Sequence, residues 1–578
     1  MSPALGKPPS ERLILGLGVF SHDTSAALLR GSEVLFASEQ ERHDRIKHSR
    51  AFPLDSIAAA LRHAGISFSD LDDVVINYDP TQLVLGYLRH VWRFLPGSLR
   101  MFFEPLRYIN VWKSRGYKHA IRERFGDISH LRWHAVRHHL AHAASAFFRS
   151  PFEESAILTS DALGEFESVR FAIGKGNRIK TIRSIFYPHS LAAVYSAITD
   201  HLGFEIYSGE GKVMGLAGWG KDDPLRSLDN AIRLGSDGEM EVDLELFRYH
   251  VLPFVHHGWT SGRFAAQFGR RREMGEPLRD SHANLAHSLQ NLSNKVTVHL
   301  CKALRHATGI PNLCYAGGSA LNGYSNTRML IDGGFGKLYV QPAANDAGTA
   351  LGAALYLAHH TLGLPREPHE GSTFLGPAFS EAAIEVVLKE SGVSYRRPAD
   401  LASLVGKRLA AGKIIGWFQG RLEFGPRALG HRSILANPEV PGMQNRLNLE
   451  IKKREPFRPF APIVPIEDAD RFFEMPIASL PYMLFIVSVR SEWRARLPAI
   501  THVDGTTRVQ TVTKHDEPLL WSLLRAFERE SGIPVLVNTS FNGPGEPIVC
   551  SPDDALRSFR RLGLDDLVIG PFLVSGEI

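Results

Sequence analysis

The sequence predicts an α/β protein whose first part is a duplicated nucleotide-binding fold. Two observations carry that prediction. A strand, an Asp-bearing turn and two further strands occupy Leu13 to Ser38, and the same pattern returns from Ala156 to Tyr187. The second copy is followed by a Gly317-Gly318 turn and then by Asp346-Ala347-Gly348, which opens a small-residue helix. Glycine lets backbone approach a ligand closely, and turn amides and helix N-termini cradle phosphate oxygens.

In chain order, apolar runs predict strands at Leu13–Phe20, Ala26–Leu29 and Glu33–Ser38. Turns carrying Ser21-His22-Asp23 and Arg30-Gly31-Ser32 separate them. A helical period covers Leu54–Ala64, and Val74–Tyr78 reads as another strand. The second copy has strands at Ala156–Thr159, Val169–Gly174 and Thr181–Tyr187, with Asp161 in the turn after the first. Helices are expected near Val136–Phe148 and Ser281–Ala307. From His359 to Gly376 the composition shifts to His, Pro, Gly and charge without period, which places a domain boundary there: 1–365 and 366–578. Beyond it, strands are expected at Lys413–Phe418, Tyr482–Val489 and Pro534–Asn538, and a helix near Glu517–Glu530.

Composition narrows the class. Of 578 residues, 44% are hydrophobic and 22% charged, which excludes disordered and fibrous chains. The 3 cysteines, Cys301, Cys314 and Cys550, form no C-x-x-C pair; zinc ribbons and a disulfide framework are poor readings, and a reducing cytoplasm fits. A net charge of +5 spread over the chain suits small anionic ligands rather than nucleic acid. The longest apolar runs are too short for a membrane span, and Leu13–Phe20 lacks the cleavage site of a signal peptide.

Three stretches bear chemistry. In Arg137-His138-His139-Leu140-Ala141-His142, His138 and His142 share one helix face at the spacing that holds a metal ion, and His134 is expected on that face too. His139 replaces the Glu of a zinc protease. Asp161 and Asp346 could complete a two-His, two-Asp set suited to Fe(II), Mn(II) or Zn(II), and less to Mg(II); ordinary hydrogen bonds in a His-rich helix are the competing reading. Tyr207–Ala217, dense in Gly around Lys212, reads as a loop contacting phosphate or substrate, or as a turn leading into a helix. Finally, Arg421–Ser433, Lys452–Pro462, His502–Arg508 and Asn538–Asn542 place Arg and Lys in proline-fixed turns, a socket for a small planar anion gripped by guanidinium forks. The flanking Phe457 and Phe460 favour burial over a solvated basic surface. A G-x-S-x-G elbow is absent, which argues against a serine hydrolase.

Taken in order, His-His-x-x-His-Ala-Ala-Ser, Gly-Glu-x-Lys-Val-Met-Gly-Leu-Ala, Glu-Phe-Gly-Pro-Arg-Ala-Leu-Gly-His-Arg-Ser, Phe-Arg-Pro-Phe-Ala-Pro and Asn-Thr-Ser-Phe-Asn-x-x-Gly-Glu-Pro-Ile resemble the O-carbamoyltransferases of antibiotic and nodulation-factor biosynthesis, over nearly the whole chain. The resemblance implies an N-terminal actin/hexokinase-like (ASKHA) ATPase domain, similar to threonylcarbamoyl-tRNA transferase, and a C-terminal YrdC-like domain. It implies that carbamoyl phosphate is dephosphorylated in the C-terminal domain and that the carbamate passes internally. ATP then activates it as carbamoyl adenylate, and the carbamoyl group goes to a hydroxyl of a small-molecule natural product. By motif, His138, His142, Asp161 and Asp346 correspond to metal ligands, with Fe(II) the family's ion and Mg(II) the alternative. Gly317, Gly318, Asn322 and Lys212 correspond to nucleotide contacts, and Arg427, Lys452, Arg458, Arg508 and Ser540 to the carbamoyl phosphate socket. Lys47 corresponds to a residue reaching that socket from the other domain, and His22 to a general base at the acceptor hydroxyl; His22, Lys47 and Arg508 are the expected catalytic residues. Ala162 and Gly211 depart from the family pattern. The insert Leu83–Tyr117, rich in aromatics including Trp92, Phe94 and Trp112, is expected to shape the acceptor site. The resemblance leaves a homodimer open and predicts no nucleic-acid or membrane partner. Three readings compete with it: a tRNA-modifying threonylcarbamoyl transferase; a hydrogenase-maturation carbamoyltransferase, whose Cys-rich zinc fingers 3 scattered cysteines cannot supply; and a nucleotide-binding regulator that does not consume carbamoyl phosphate.

Overall fold

The computed structural model describes residues 7–103, 114–252 and 257–576. Contacts divide the chain into two units. One holds the chain up to Asp44 and from His48 to Ser372; the other holds Arg45–Lys47 and everything from Thr373 onward.

The first unit is built from two sheets with the same connectivity. In the first, β1 (Leu13–Gly18), β2 (Ser25–Arg30), β3 (Glu33–Glu39), β4 (Asp73–Ile76) and β5 (Arg132–Ala135) lie in the order β3-β2-β1-β4-β5. The next strands are β6 (Glu154–Gly164), β7 (Glu167–Lys175) and β8 (Arg178–Phe186). A small hairpin of β9 (Ile232–Leu234) and β10 (Met240–Val242) follows, then β11 (Asn312–Ala316) and β12 (Lys337–Val340). The second sheet runs β12-β11-β6-β7-β8. In each, an antiparallel three-strand meander is extended by two parallel strands on the side of its first strand. The duplication expected from the sequence is therefore present as two α/β sheets of one connectivity. Every residue of β1 is buried, as expected of a strand covered on both faces. Leu15, Leu17, Phe36, Ile57 and Val74 join that core.

Glycines set the closest approaches. A Cβ on Gly16 would lie 2.1 Å from Ala350 O, and one on Gly352 would lie 1.8 Å from Ala141 O. The small-residue helix Gly348–Leu355 thus packs directly on β1 and on the helix His138–Phe147.

Two local expectations are corrected and one open alternative is decided. His134 is on β5, not on the helix face; its Nε2 bonds Asp73 Oδ1 at 2.9 Å, and the helix begins only at His138. Asp161 lies within β6, where the register with β7 slips between Ser160 and Gly164, rather than in a turn after a shorter strand. Tyr207–Ala217 is mainly a helix, Glu210–Ala217, so the helix-leading alternative holds.

The second unit carries β13 (Tyr395–Arg396), β14 (Ile415–Phe418), β15 (Arg432–Ala436), β16 (Ala461–Pro465), β17 (Val487–Ser488), β18 (Thr506–Thr507), β19 (Gln510–Val512), β20 (Leu536–Ser540), β21 (Asp566–Ile569) and β22 (Phe572–Ser575). Eight of them form one mixed sheet, β13-β22-β21-β14-β15-β20-β16-β19. The expected strand Tyr482–Val489 shrinks to Val487–Ser488, paired only with the short β18. Proline at 481 and the left-handed Met483 (φ 54) break the run before it. The helix Pro518–Ser531 ends on Gly532 in the left-handed conformation, a C-cap that glycine adopts at no steric cost.

Candidate functional site

The first unit gathers His138, His142, Asp161 and Asp346 into one cluster, their ligand atoms within 4.8 Å of one another. The two histidines are one turn apart on the helix His138–Phe147; Asp161 comes from the β6 slip and Asp346 from the turn before the helix Gly348–Leu355. Asp161 Oδ2 lies 3.2 Å from Nε2 of each histidine, Asp346 Oδ1 lies 3.4 and 3.6 Å away, and the two Nε2 atoms are 3.0 Å apart. Four ligands around a first-row ion at about 2.1 Å have edges of about 3.0 to 3.4 Å, so this set fits a metal. The histidine side chains are fully buried, while Asp161 and Asp346 keep 13% and 10% exposure, so the cluster opens on its carboxylate side.

Electrostatics agree. Burial alone would strip the proton from His138, yet Asp346 and Asp161 raise it to about 10. Burial works against charge on those carboxylates too, but the histidines hold both below the usual carboxylate range. The carboxylates are thus paired with ring protons, which a dication would displace on binding.

The Gly317-Gly318 turn abuts this cluster. Gly317 has φ +97, and a Cβ there would lie 2.2 Å from Ser160 O. Gly318 N–H points to Asp161 Oδ1 at 3.3 Å. Asn322 is differently occupied: it caps the helix Gly323–Asp332 through Ser325 N–H and exchanges amide hydrogen bonds with Gln290. Lys212 Nζ lies 5.7 Å from the centre of the Phe204 ring. Gly211 faces open space, with nothing within 4 Å of the Cβ it lacks. Trp92 is 79% exposed and Phe94 packs on His90 and His250, while Trp112 lies outside the described residues.

His22 sits in the turn between β1 and β2. Its Nδ1 meets Asp23 Oδ2 at 2.8 Å, and its ring lies 4.6 Å from that of Tyr207. Burial opposes its charge, but Asp23, and more weakly Asp346 and Asp161, raise it to about 9.

The cation-rich motifs converge in the second unit. Lys452 is buried, and its Nζ donates to Asn542 Oδ1 at 2.9 Å, to Asn542 O at 3.2 Å, and to Ser540 O and Oγ. Burial, then Arg454, Arg458 and Lys47, push its ammonium well below the ordinary lysine range. Burial and the neighbouring Arg427, Arg454 and Arg458 do the same to Arg508, and burial with Arg458 lowers Arg427 to about 10. The Nε atoms of Arg427 and Arg508 are sequestered without a hydrogen-bond partner among the described residues. Repelling cations with buried N–H groups to spare, gathered in one place, suit a small anion. Lys47 belongs to this unit by its contacts, beside Arg45, whose guanidinium donates to Ile548 O at 2.6 Å and Pro547 O at 2.9 Å.

Residues not named individually from the motifs also surround these groups. Arg454, with its Nε on Asn448 Oδ1 at 2.7 Å and its guanidinium 4.6 Å from the Phe460 ring, belongs among the socket cations. Tyr78 stacks on His138 at 4.6 Å. Glu165 accepts the His138 backbone N–H at 3.0 Å and, chiefly through burial, rises to about 7. Arg454 was findable from its place between Lys452 and Arg458; Tyr78 and Glu165 left no signal beyond their residue type.

Comparison with known proteins agrees. The family model of the carbamoyltransferase N-terminus matches residues 13–355, and that of the carbamoyltransferase C-terminus matches 406–576. The chain is 38% identical to nodulation protein NolNO of Sinorhizobium fredii, over 96% of this chain and 79% of that protein. It is 41% identical to nodulation protein NolO of Bradyrhizobium diazoefficiens, over 76% and 78%. Among solved structures, full-length HypF in its phosphate- and nucleotide-bound form matches at 15% identity with a TM-score of 0.32, covering 61% of this chain and 56% of that one. On the two family models and the nodulation relatives, the chain is an enzyme of the carbamoyltransferase family.

Proposed function

We propose that the enzyme is an ATP-dependent O-carbamoyltransferase that uses carbamoyl phosphate and delivers the carbamoyl group to a hydroxyl of a small-molecule natural product. The single observation that carries this reading is the cluster of under-bonded cations around Arg508, which calls for a compact anion such as carbamoyl phosphate. There, water converts carbamoyl phosphate to carbamate and inorganic phosphate, with Arg427, Arg458, Arg508 and Lys452 countering the phosphate's charge and Ser540 donating to it. Lys47 serves the same anion from the short segment Arg45–Lys47.

Carbamate oxygen then attacks the α-phosphorus of ATP in the first unit, forming carbamoyl adenylate and releasing pyrophosphate. His138, His142, Asp161 and Asp346 would hold a divalent ion, Fe(II) or Mg(II), which supplies Lewis-acid stabilisation of the nucleotide phosphates. The Gly317-Gly318 turn leaves room for the nucleotide beside Asp161. His22 takes the proton of the acceptor hydroxyl as its oxygen attacks the carbamoyl carbon; the C–O bond to AMP breaks and AMP departs. A dication held by Asp346 and Asp161 would remove only their smaller share of the charge that favours the protonated ring; the larger share comes from Asp23.

The test is Arg508→Ala. It is expected to lower carbamoyl-phosphate-dependent pyrophosphate release by about a hundredfold or more, while ATP affinity measured by calorimetry stays within about twofold. Unchanged turnover would remove the anion socket from the mechanism. Nothing in the geometry favours tRNA as acceptor over a small molecule's hydroxyl, and the diffuse net charge of +5 favours the latter.

A further inference from the structure

Asp23 is bonded on both oxygens. Oδ2 meets His22 Nδ1 and Oδ1 meets His48 Nδ1, each at 2.8 Å, and Asn345 Nδ2 donates to Oδ2 at 3.0 Å. A carboxylate only accepts, so both Nδ1 atoms carry protons. That fixes the tautomer of a neutral His22: Nε2 keeps its lone pair.

The backbone is bent to make this pairing. Asp23 (φ 61) and His48 (φ 54) are both left-handed, a conformation that is unfavourable for a non-glycine residue. The two segments are pinned together by Thr24 N–H on Ser49 O at 3.2 Å and Thr24 Oγ1 on Ala51 O at 2.6 Å. Glu41 Oε2 accepts the His48 backbone N–H at 2.6 Å. Two unfavourable conformations set face to face, with a carboxylate shared between them, are the pattern expected where strain serves a site.

We infer that His48 is a positioning residue for His22: by sharing Asp23, it holds the His22 ring with Nδ1 protonated and limits how much of the carboxylate's charge bears on that ring. The inference rests on the role given to His22 above. The charged and titratable groups facing His22 are Asp23, His48 and Tyr207, with Asp346 and Asp161 at longer range and Arg50 beyond Tyr207, 5.6 Å from its ring. Without His48, Asp23 Oδ1 loses its donor, the full carboxylate charge falls on His22, and His22 holds its proton to higher pH.

Two substitutions separate this from a structural role. His48→Gly removes the donor at a backbone angle that glycine prefers. His48→Asn keeps an N–H donor close to the Nδ1 position and tolerates the same angle. The probe is diethyl pyrocarbonate on the full chain. Neutral imidazole Nε2 attacks one of its carbonyl carbons, an N–C bond forms, and ethanol and carbon dioxide leave; mass spectrometry of the peptide containing His22 reads the rate against pH. The expected result is an upward shift of the half-reaction pH in His48→Gly by roughly half a unit or more, with His48→Asn close to wild type and all three proteins melting alike. A half-reaction pH in His48→Gly equal to wild type, or an equal shift in both variants, would overturn the inference. Carbamoyl-phosphate-dependent pyrophosphate release by the wild-type protein, assayed in parallel, reports separately on the carbamoyl reading.

Discussion

At the scale of single residues, charge placed where water cannot reach it dominates. Asp346 closes the His/Asp cluster and lies in the turn next to Asn345, which bonds Asp23, so one turn touches both the proposed metal ligands and the partner of the proposed base. Asp346→Asn keeps the shape but removes half of the anionic charge. Metal content by atomic emission is expected to fall at least about tenfold under limiting metal, with nucleotide affinity falling alongside it; full metal retention would exclude Asp346 as a ligand. A different residue sets part of the pH dependence of folding. Burial lowers His43, bonded to Ser38 Oγ at 3.0 Å, from its ordinary 6.5 to about 4. The unfolded chain takes up that proton first on acidification, so stability contributed by neutral His43 is present above pH 6.5 and is lost as pH falls towards 4. The contribution is at most about 3 kcal/mol. His43→Gln lacks this slope, so the stability gap between wild type and variant, from urea unfolding, should narrow between pH 6.5 and 4. The pair His138 and His142 was legible because helical spacing alone puts both on one face. The link from Asp23 to His48 was not, because 25 residues and a strained backbone turn separate its ends.

At the scale of elements, the site depends on how closely helices approach. Gly352 lets the helix Gly348–Leu355 lie against Ala141 in the helix of the metal histidines. Gly352→Ala forces a methyl to 1.8 Å from Ala141 O, so one helix must move. We expect a destabilisation of about 1–3 kcal/mol and weaker metal binding, read by thermal unfolding with and without added ion. Wild-type stability would show that the helices separate at no cost. Most strands were readable from apolar runs because both faces of β1, β2 and β4 are covered. Tyr482–Val489 misled for a related reason: a buried apolar run in irregular backbone has the same composition as a buried strand, and periodicity does not separate them.

At the scale of the whole molecule, the chain joins two units of different chemistry: a duplicated α/β fold with a buried His/Asp cluster, and an α/β unit with a cationic cluster. The acidic cluster suits a cation and the cationic cluster a small anion, in line with the proposed roles of metal and carbamoyl phosphate. Duplication was visible as a repeated strand pattern, and the family emerged from motifs in their order. The acceptor left no such trace: an exposed Trp92 and open space at Gly211 name no ligand. The central claim, that carbamoyl phosphate feeds ATP-dependent adenylation, is tested most directly without any acceptor. Purified protein is incubated with ATP, carbamoyl phosphate and Fe(II) or Mg(II), and the nucleotides are resolved by mass spectrometry. Carbamoyl adenylate, or AMP with pyrophosphate formed only when carbamoyl phosphate is present, is the predicted result. ADP as the product, or AMP formed equally without carbamoyl phosphate, would contradict it.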